Sequence, residues 1–68
     1  MTTKEVKELR NHANNIRRMV PNIREGQALM NGLFAWHAET YQAITNTDVD
    51  PFYDDSRIPA FLAKIQSN

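Results

Sequence analysis

Arg10, Asn14, Arg17 and Arg18 fall on one side of a helical wheel, and a further cation, Arg24, follows a proline turn. A guanidinium is a planar fork of donors that matches a phosphate bidentately. Arg24 and Glu25 are placed for the first turn of a helix, where backbone N–H groups and the positive end of the dipole favour anions. Asn11, Asn14, Asn15 and Asn22 add amides of the kind that read base edges. The chemistry this pattern suits is recognition of an anionic, nucleotide-like ligand. The same side of the helix also reads as an ordinary solvated face opposite an apolar seam.

The remaining reactive side chains form no catalytic set. The two serines, Ser56 and Ser67, fall in a cap and a tail, away from either histidine. Asp54 and Asp55 are adjacent in a loop, with no sign of a cleft that would perturb them. We expect a protein that is not an enzyme. Asp48, Asp50 and Asp54 have part of a calcium-loop spacing but lack its glycine and its closing glutamate, so cap-and-turn roles are expected of them. His12 and His37 lack zinc-site neighbours, and no cysteine is present. No metal or cofactor is expected. His37 shares its helix with Trp36 and Tyr41, which suits packing or an interface better than stacking on a base or titration.

These residues need helices to position them, and no strand pattern occurs. Val6, Leu9, Ala13, Ile16 and Val20 are spaced 3, 4, 3, 4 and make a seam along a helix of about 3–20. Thr2 or Thr3 can cap its start, with Glu5 in the first turn. Lys4 and Glu8 are spaced for a surface ion pair. Pro21 stops the helix, and Asn22 to Glu25 has the arrangement of a capping box. A second helix over about 23–46 follows, and the short connection makes the two antiparallel.

The second helix carries Leu29, Met30, Leu33, Phe34, Trp36, Tyr41 and Ile44, a stripe too wide for one partner helix. Gly26 and Gly32 inside it suggest close approach by another helix. Residues 47–55 form an acidic loop, with a short turn after Asp50-Pro51. A last helix of about 56–66, capped by Ser56, puts Ile58, Phe61, Leu62 and Ile65 on one face. The expected fold is all-α: an antiparallel two-helix hairpin with a short C-terminal third helix packed back on it, one domain over 1–68.

A chain of 68 residues buries only roughly 60% of its unfolded surface and usually needs a supplement. Disulfides are excluded, so self-association is expected, with Leu33, Trp36, His37, Tyr41, Phe52 and Tyr53 at the interface. The absence of cysteine and of a signal-peptide pattern leads us to expect a cytoplasmic protein. The chain carries no net charge, which argues against duplex DNA, and no apolar run is long enough for a membrane. Charge is nonetheless polarised: residues 1–25 hold six Lys or Arg and three Glu, whereas residues 26–68 hold two basic and five acidic groups. That distribution suits head-to-tail contact or an anionic ligand at one end.

At Pro21-x-x-Arg24-Glu25, followed by Leu33 and an aromatic-bearing helix, the sequence resembles the helical-hairpin core of phage-encoded anti-CBASS sponge proteins. The resemblance spans about residues 6–44, and Arg24, Glu25 and Leu33 are the matching positions. Trp36 comes about one turn earlier than the family's tryptophan. The resemblance implies a homo-oligomer in the host cytoplasm that sequesters a cyclic oligonucleotide immune signal at subunit interfaces. Arg10, Asn14, Arg17, Arg18, Arg24 and Glu25 are then the expected ligand-binding residues. The alternative is a phage accessory protein that binds a host protein directly, through Trp36, Tyr41, Phe52, Tyr53 and the acidic loop.

Overall fold

The computed structural model describes residues 1–66. Among these it has four α-helices and no strand: α1 (Thr3–Met19), α2 (Glu25–Trp36), α3 (Ala38–Ile44) and α4 (Ile58–Ile65), the last preceded by a 3-10 turn at Asp55–Arg57. The all-α expectation holds. The first helix begins at Thr2, whose side chain accepts from the Glu5 N–H at 3.1 Å while the Glu5 carboxylate accepts from the Thr2 N–H at 2.9 Å. This reciprocal capping box satisfies two N–H groups that a helix start leaves without partners. Lys4 and Glu8 do not pair; both remain in solvent.

Val20-Pro21-Asn22-Ile23 is the tight connection expected, closed by the Ile23 N–H on the Val20 carbonyl at 3.1 Å. Beyond it the helices run antiparallel. Arg17 meets Glu25 beside the turn, and His12 lies against Trp36 and next to Gly32 further along. The expected capping box at Asn22 does not form. Asn22 is consumed by the turn, Arg24 takes the cap position without a side-chain bond, and the Gly26 N–H is satisfied by the Asp55 carboxylate at 3.0 Å.

The long second helix is also corrected. It breaks at His37, whose backbone leaves helical geometry at φ −138°, ψ 61°. An unbroken helix over 23–46 would be about 36 Å long at 1.5 Å per residue. The whole molecule extends 31 Å along its longest axis. The break separates α3 from α2, and Ile44 at the end of α3 lies in the core at 3% exposure.

The core joins Val6, Leu9 and Ala13 of α1, Ala28, Leu29, Met30 and Leu33 of α2, Ile44 of α3, and Phe61 and Ile65 of α4. The wide stripe of α2 is therefore covered mostly within the chain. α1 lies over one flank, while the acidic loop and α4 supply the rest. Ile58 and Leu62 are half-buried beside Phe61 and Ile65, as the single apolar face of α4 requires. Gly32 does face another helix: a methyl there would stand 2.9 Å from His12 Cδ2 and 3.0 Å from Leu9 Cδ1. Gly26 instead faces the loop, where a methyl would overlap the Pro51 carbonyl.

The loop is held by its own aspartates. Asp50 accepts from the N–H groups of Asn46 and Phe52 at 2.8 and 2.9 Å. Asn46 has a left-handed φ of 64°, which asparagine tolerates better than most residues. Asp54 accepts from both the N–H and the hydroxyl of Ser56, so Asp54 rather than Ser56 is the cap that starts the last helical segment. Pro59 sits in the first turn of α4, as expected. The start of α1 meets the end of α4: the Met1 amine donates to the Ile65 carbonyl at 2.8 Å, and Gln66 Nε2 donates to Thr3 Oγ1. No described helix is long and apolar enough to cross a membrane.

Candidate functional site

The apolar seam of α1 has a polar stripe immediately beside it. Thr3, Lys7, Arg10 and Asn14 are spaced 4, 3, 4, so a helix must stack them along one flank. With Asn11, Val6 and Gln66 they line an open groove of about 490 Å³. The C-terminal end of α4 forms its far wall, because Gln66 is tied to Thr3. Among the described residues, neither Lys7 nor Arg10 makes a hydrogen bond or ion pair. Two cations and the side-chain amides of Asn11 and Asn14 therefore line the groove without a hydrogen bond among the described residues, as an oxyanion requires.

The six expected ligand residues do not gather in one place. Arg10 and Asn14 are in this groove. Arg17 flanks the seam rather than opposing it, and pairs with Glu25 at 3.7 Å across the hairpin turn. Arg24 Nη2 donates to the Phe52 carbonyl at 2.5 Å and so fastens the start of α2 to the loop. Arg18 is exposed at the C-terminal end of α1. The arginine and glutamate after the proline turn thus have structural partners in this chain. Lys7, Thr3 and Gln66 were not picked out in the sequence. The signal that could have found the first two is the 3, 7, 10, 14 stripe; Gln66 joins only through the fold.

The expected interface residues separate as well. Leu33 is a correction: it is 0% exposed within the chain's own core, because α2 is the central helix and Leu33 points to its middle. Trp36 is 56% exposed, with its ring centroid 4.0 Å from that of His12. His37 is half-buried at the helix break, and its carbonyl accepts from the Tyr41 N–H at 2.9 Å. Tyr41 lies edge-on to Phe34 at 5.1 Å, and Phe52 edge-on to Tyr53 at 4.8 Å. Tyr41, Phe52 and Tyr53 share a cleft of about 250 Å³ with Met30, Asn46 and Asp50. An aromatic, acid-edged face is therefore formed apart from the basic groove.

Among the described residues no group of histidines and carboxylates could hold a metal ion. Two carboxylates lie below their ordinary pKa: Glu5, held down by the Thr2 backbone and hydroxyl hydrogen bonds, and Asp54, held down by the Ser56 hydroxyl and N–H. Both are local caps and belong to helix starts rather than to a reacting centre. No family model matches the chain, and no curated protein or solved structure matches it.

Proposed function

We propose that this protein is a small binding protein, without catalysis, that sequesters a nucleotide ligand through its phosphates in the α1 groove. The observation that carries this reading is the uncommitted pair Lys7 and Arg10, set among Asn11, Asn14 and Thr3 around about 490 Å³. A cavity of that size falls in the range of small-molecule sites. The ligand class follows from the resemblance to anti-CBASS sponges, which points to a cyclic oligonucleotide immune signal and to counter-defence as the role. Such a ligand exceeds one open groove, so a second copy would close over it, and the site would lie at a subunit interface.

Isothermal titration with a panel of cyclic di- and trinucleotides tests this. Binding that weakens with salt, as phosphate recognition does, is the expected result. No heat and no thermal shift with every member of the panel would reject it.

A second reading has its own observation. Phe34, Trp36 and Tyr53 are 64%, 56% and 84% exposed, more large aromatic surface than so small a chain commonly leaves in solvent. This surface fits direct binding of a host protein, as an inhibitor or adaptor. Capture of one defined host protein by the wild type, lost in Phe52→Ala/Tyr53→Ala, supports it; equal capture by both counts against it.

A further inference from the structure

We propose that the acidic aromatic face formed by Phe34, Tyr41, Phe52 and Tyr53 is the seat for the Arg18-Met19-Val20 corner of a second copy of this chain. The face is built from three elements. Phe34 on α2 and Tyr41 on α3 are in edge contact, Phe52 and Tyr53 of the loop are in edge contact, and Tyr41 lines one cleft with the second pair. Its border is acidic on balance: residues 46–57 contain four aspartates against one cation, Arg57, which pairs with Asp54 at 3.7 Å, and Arg24 reaches in to the Phe52 carbonyl. Asp50, which lines the cleft, accepts hydrogen bonds from two backbone N–H groups. Aromatic faces edged by carboxylates attract guanidinium groups through both the ring quadrupole and the charge.

The same chain carries a complementary corner. α1 ends at Met19, which is 82% exposed, followed by Val20 at 49%. Arg18 beside them is exposed and makes no hydrogen bond or ion pair among the described residues. A cation followed by a flexible thioether and a branched aliphatic is the chemistry that fills an aromatic cleft, since methionine sulfur packs well on ring edges. The polarity of the sequence points the same way, with residues 1–25 net positive and residues 26–68 net negative by equal amounts. The two surfaces belong to different parts of the fold. The contact is therefore heterologous unless two copies exchange corners reciprocally.

The test needs no ligand, so it is separable from the nucleotide reading. One variant, Arg18→Glu/Met19→Ser, loses the corner and keeps the cleft; the other, Phe34→Ala/Tyr53→Ala, loses the cleft and keeps the corner. Met19, Phe34 and Tyr53 are largely in solvent, and thermal melts check that both variants fold; Tyr53→Ala alone replaces the second if it does not. By sedimentation at hundreds of micromolar, the wild type is expected to associate, and less so by about tenfold or more in high salt. Each variant alone is expected to be monomeric, and their equimolar mixture to form a one-to-one dimer through the single intact junction. A monomeric wild type, variants that associate like the wild type, or a mixture that stays monomeric overturns the proposal. The first of these outcomes leaves the face to a foreign protein.

Discussion

Gly26 and Gly32 lie on the same helix, yet a methyl group would meet different neighbours at the two positions. At Gly26 it meets the Pro51 backbone, which cannot move without dragging the loop; at Gly32 it meets the ends of two side chains. Gly26→Ala is therefore expected to destabilise the fold by roughly 1–3 kcal/mol, the usual cost of overpacking. Gly32→Ala should stay within about 1 kcal/mol of wild type, because the helix-propensity gain offsets a small shift of His12 and Leu9. Urea midpoints at constant m-value distinguish the two. The sequence suggested close approach at both glycines, but only the fold shows that backbone stands over one and side chains over the other.

Glu5 and Asp54 make a second residue-scale prediction. Both carboxyls titrate lower in the folded chain than the ordinary 4.5 and 3.8, because their ionised forms accept hydrogen bonds. Their stabilisation is thus complete above those values and is lost as pH falls through the lowered folded pKa. Thermal melts between neutral pH and pH 3 should show an acid limb beginning near the ordinary carboxylate range. Thr2→Ala, which removes the hydroxyl and so weakens the hold on Glu5, should shallow that limb and lower the melting temperature most at neutral pH. An unchanged limb would show that the Thr2–Glu5 box does not set it.

At the scale of elements, the legible parts were those written in local sequence. The seam of α1, the stop at Pro21 and the single face of α4 follow from spacing and backbone chemistry alone. The break at His37 carries no glycine or proline to mark it, and Ile44 beyond it lies in the core of a molecule 31 Å along its longest axis. The cap of α2 was illegible for another reason: Asp55 lies 29 residues from Gly26 in sequence. Asp55→Ala should lose about 1 kcal/mol, as removal of a helix cap does. Asp48→Ala, exposed and in the same loop, should stay within about 0.5 kcal/mol. Chemical denaturation of the pair separates a structural carboxylate from a merely acidic loop.

For the whole molecule, four helices bury one core with no buried side-chain polar atom left unsatisfied among the described residues. The short chain therefore covers most of the apolar stripe that the α2 periodicity leaves too wide for one partner helix. What remains outside is Phe34, Trp36 and Tyr53 together with Met19 and Val20 at the end of α1, while Lys7, Arg10 and Arg18 lie uncommitted along α1. Phe61, at 0% exposure the largest fully buried side chain, joins α4 to that core; Phe61→Ala should cost about 3–5 kcal/mol and loosen the far wall of the groove as well. The candidate site was half legible: Arg10 and Asn14 stood out by type. Lys7 was hidden in the same stripe, and Gln66 arrives only because the end of α4 meets the start of α1.

The central claim, that nucleotide phosphates are held in the α1 groove, is tested most directly by mapping amide chemical shifts during titration with each cyclic di- and trinucleotide of the panel. The account predicts that at least one ligand perturbs Thr3, Lys7, Arg10, Asn11, Asn14 and Gln66 most strongly. Arg10→Ala should weaken that ligand at least about tenfold, while Arg57→Ala, which removes the same charge from the 3-10 turn outside the groove, leaves it unchanged. Shifts centred on Phe34, Phe52 and Tyr53, or no shifts with any ligand, would contradict it.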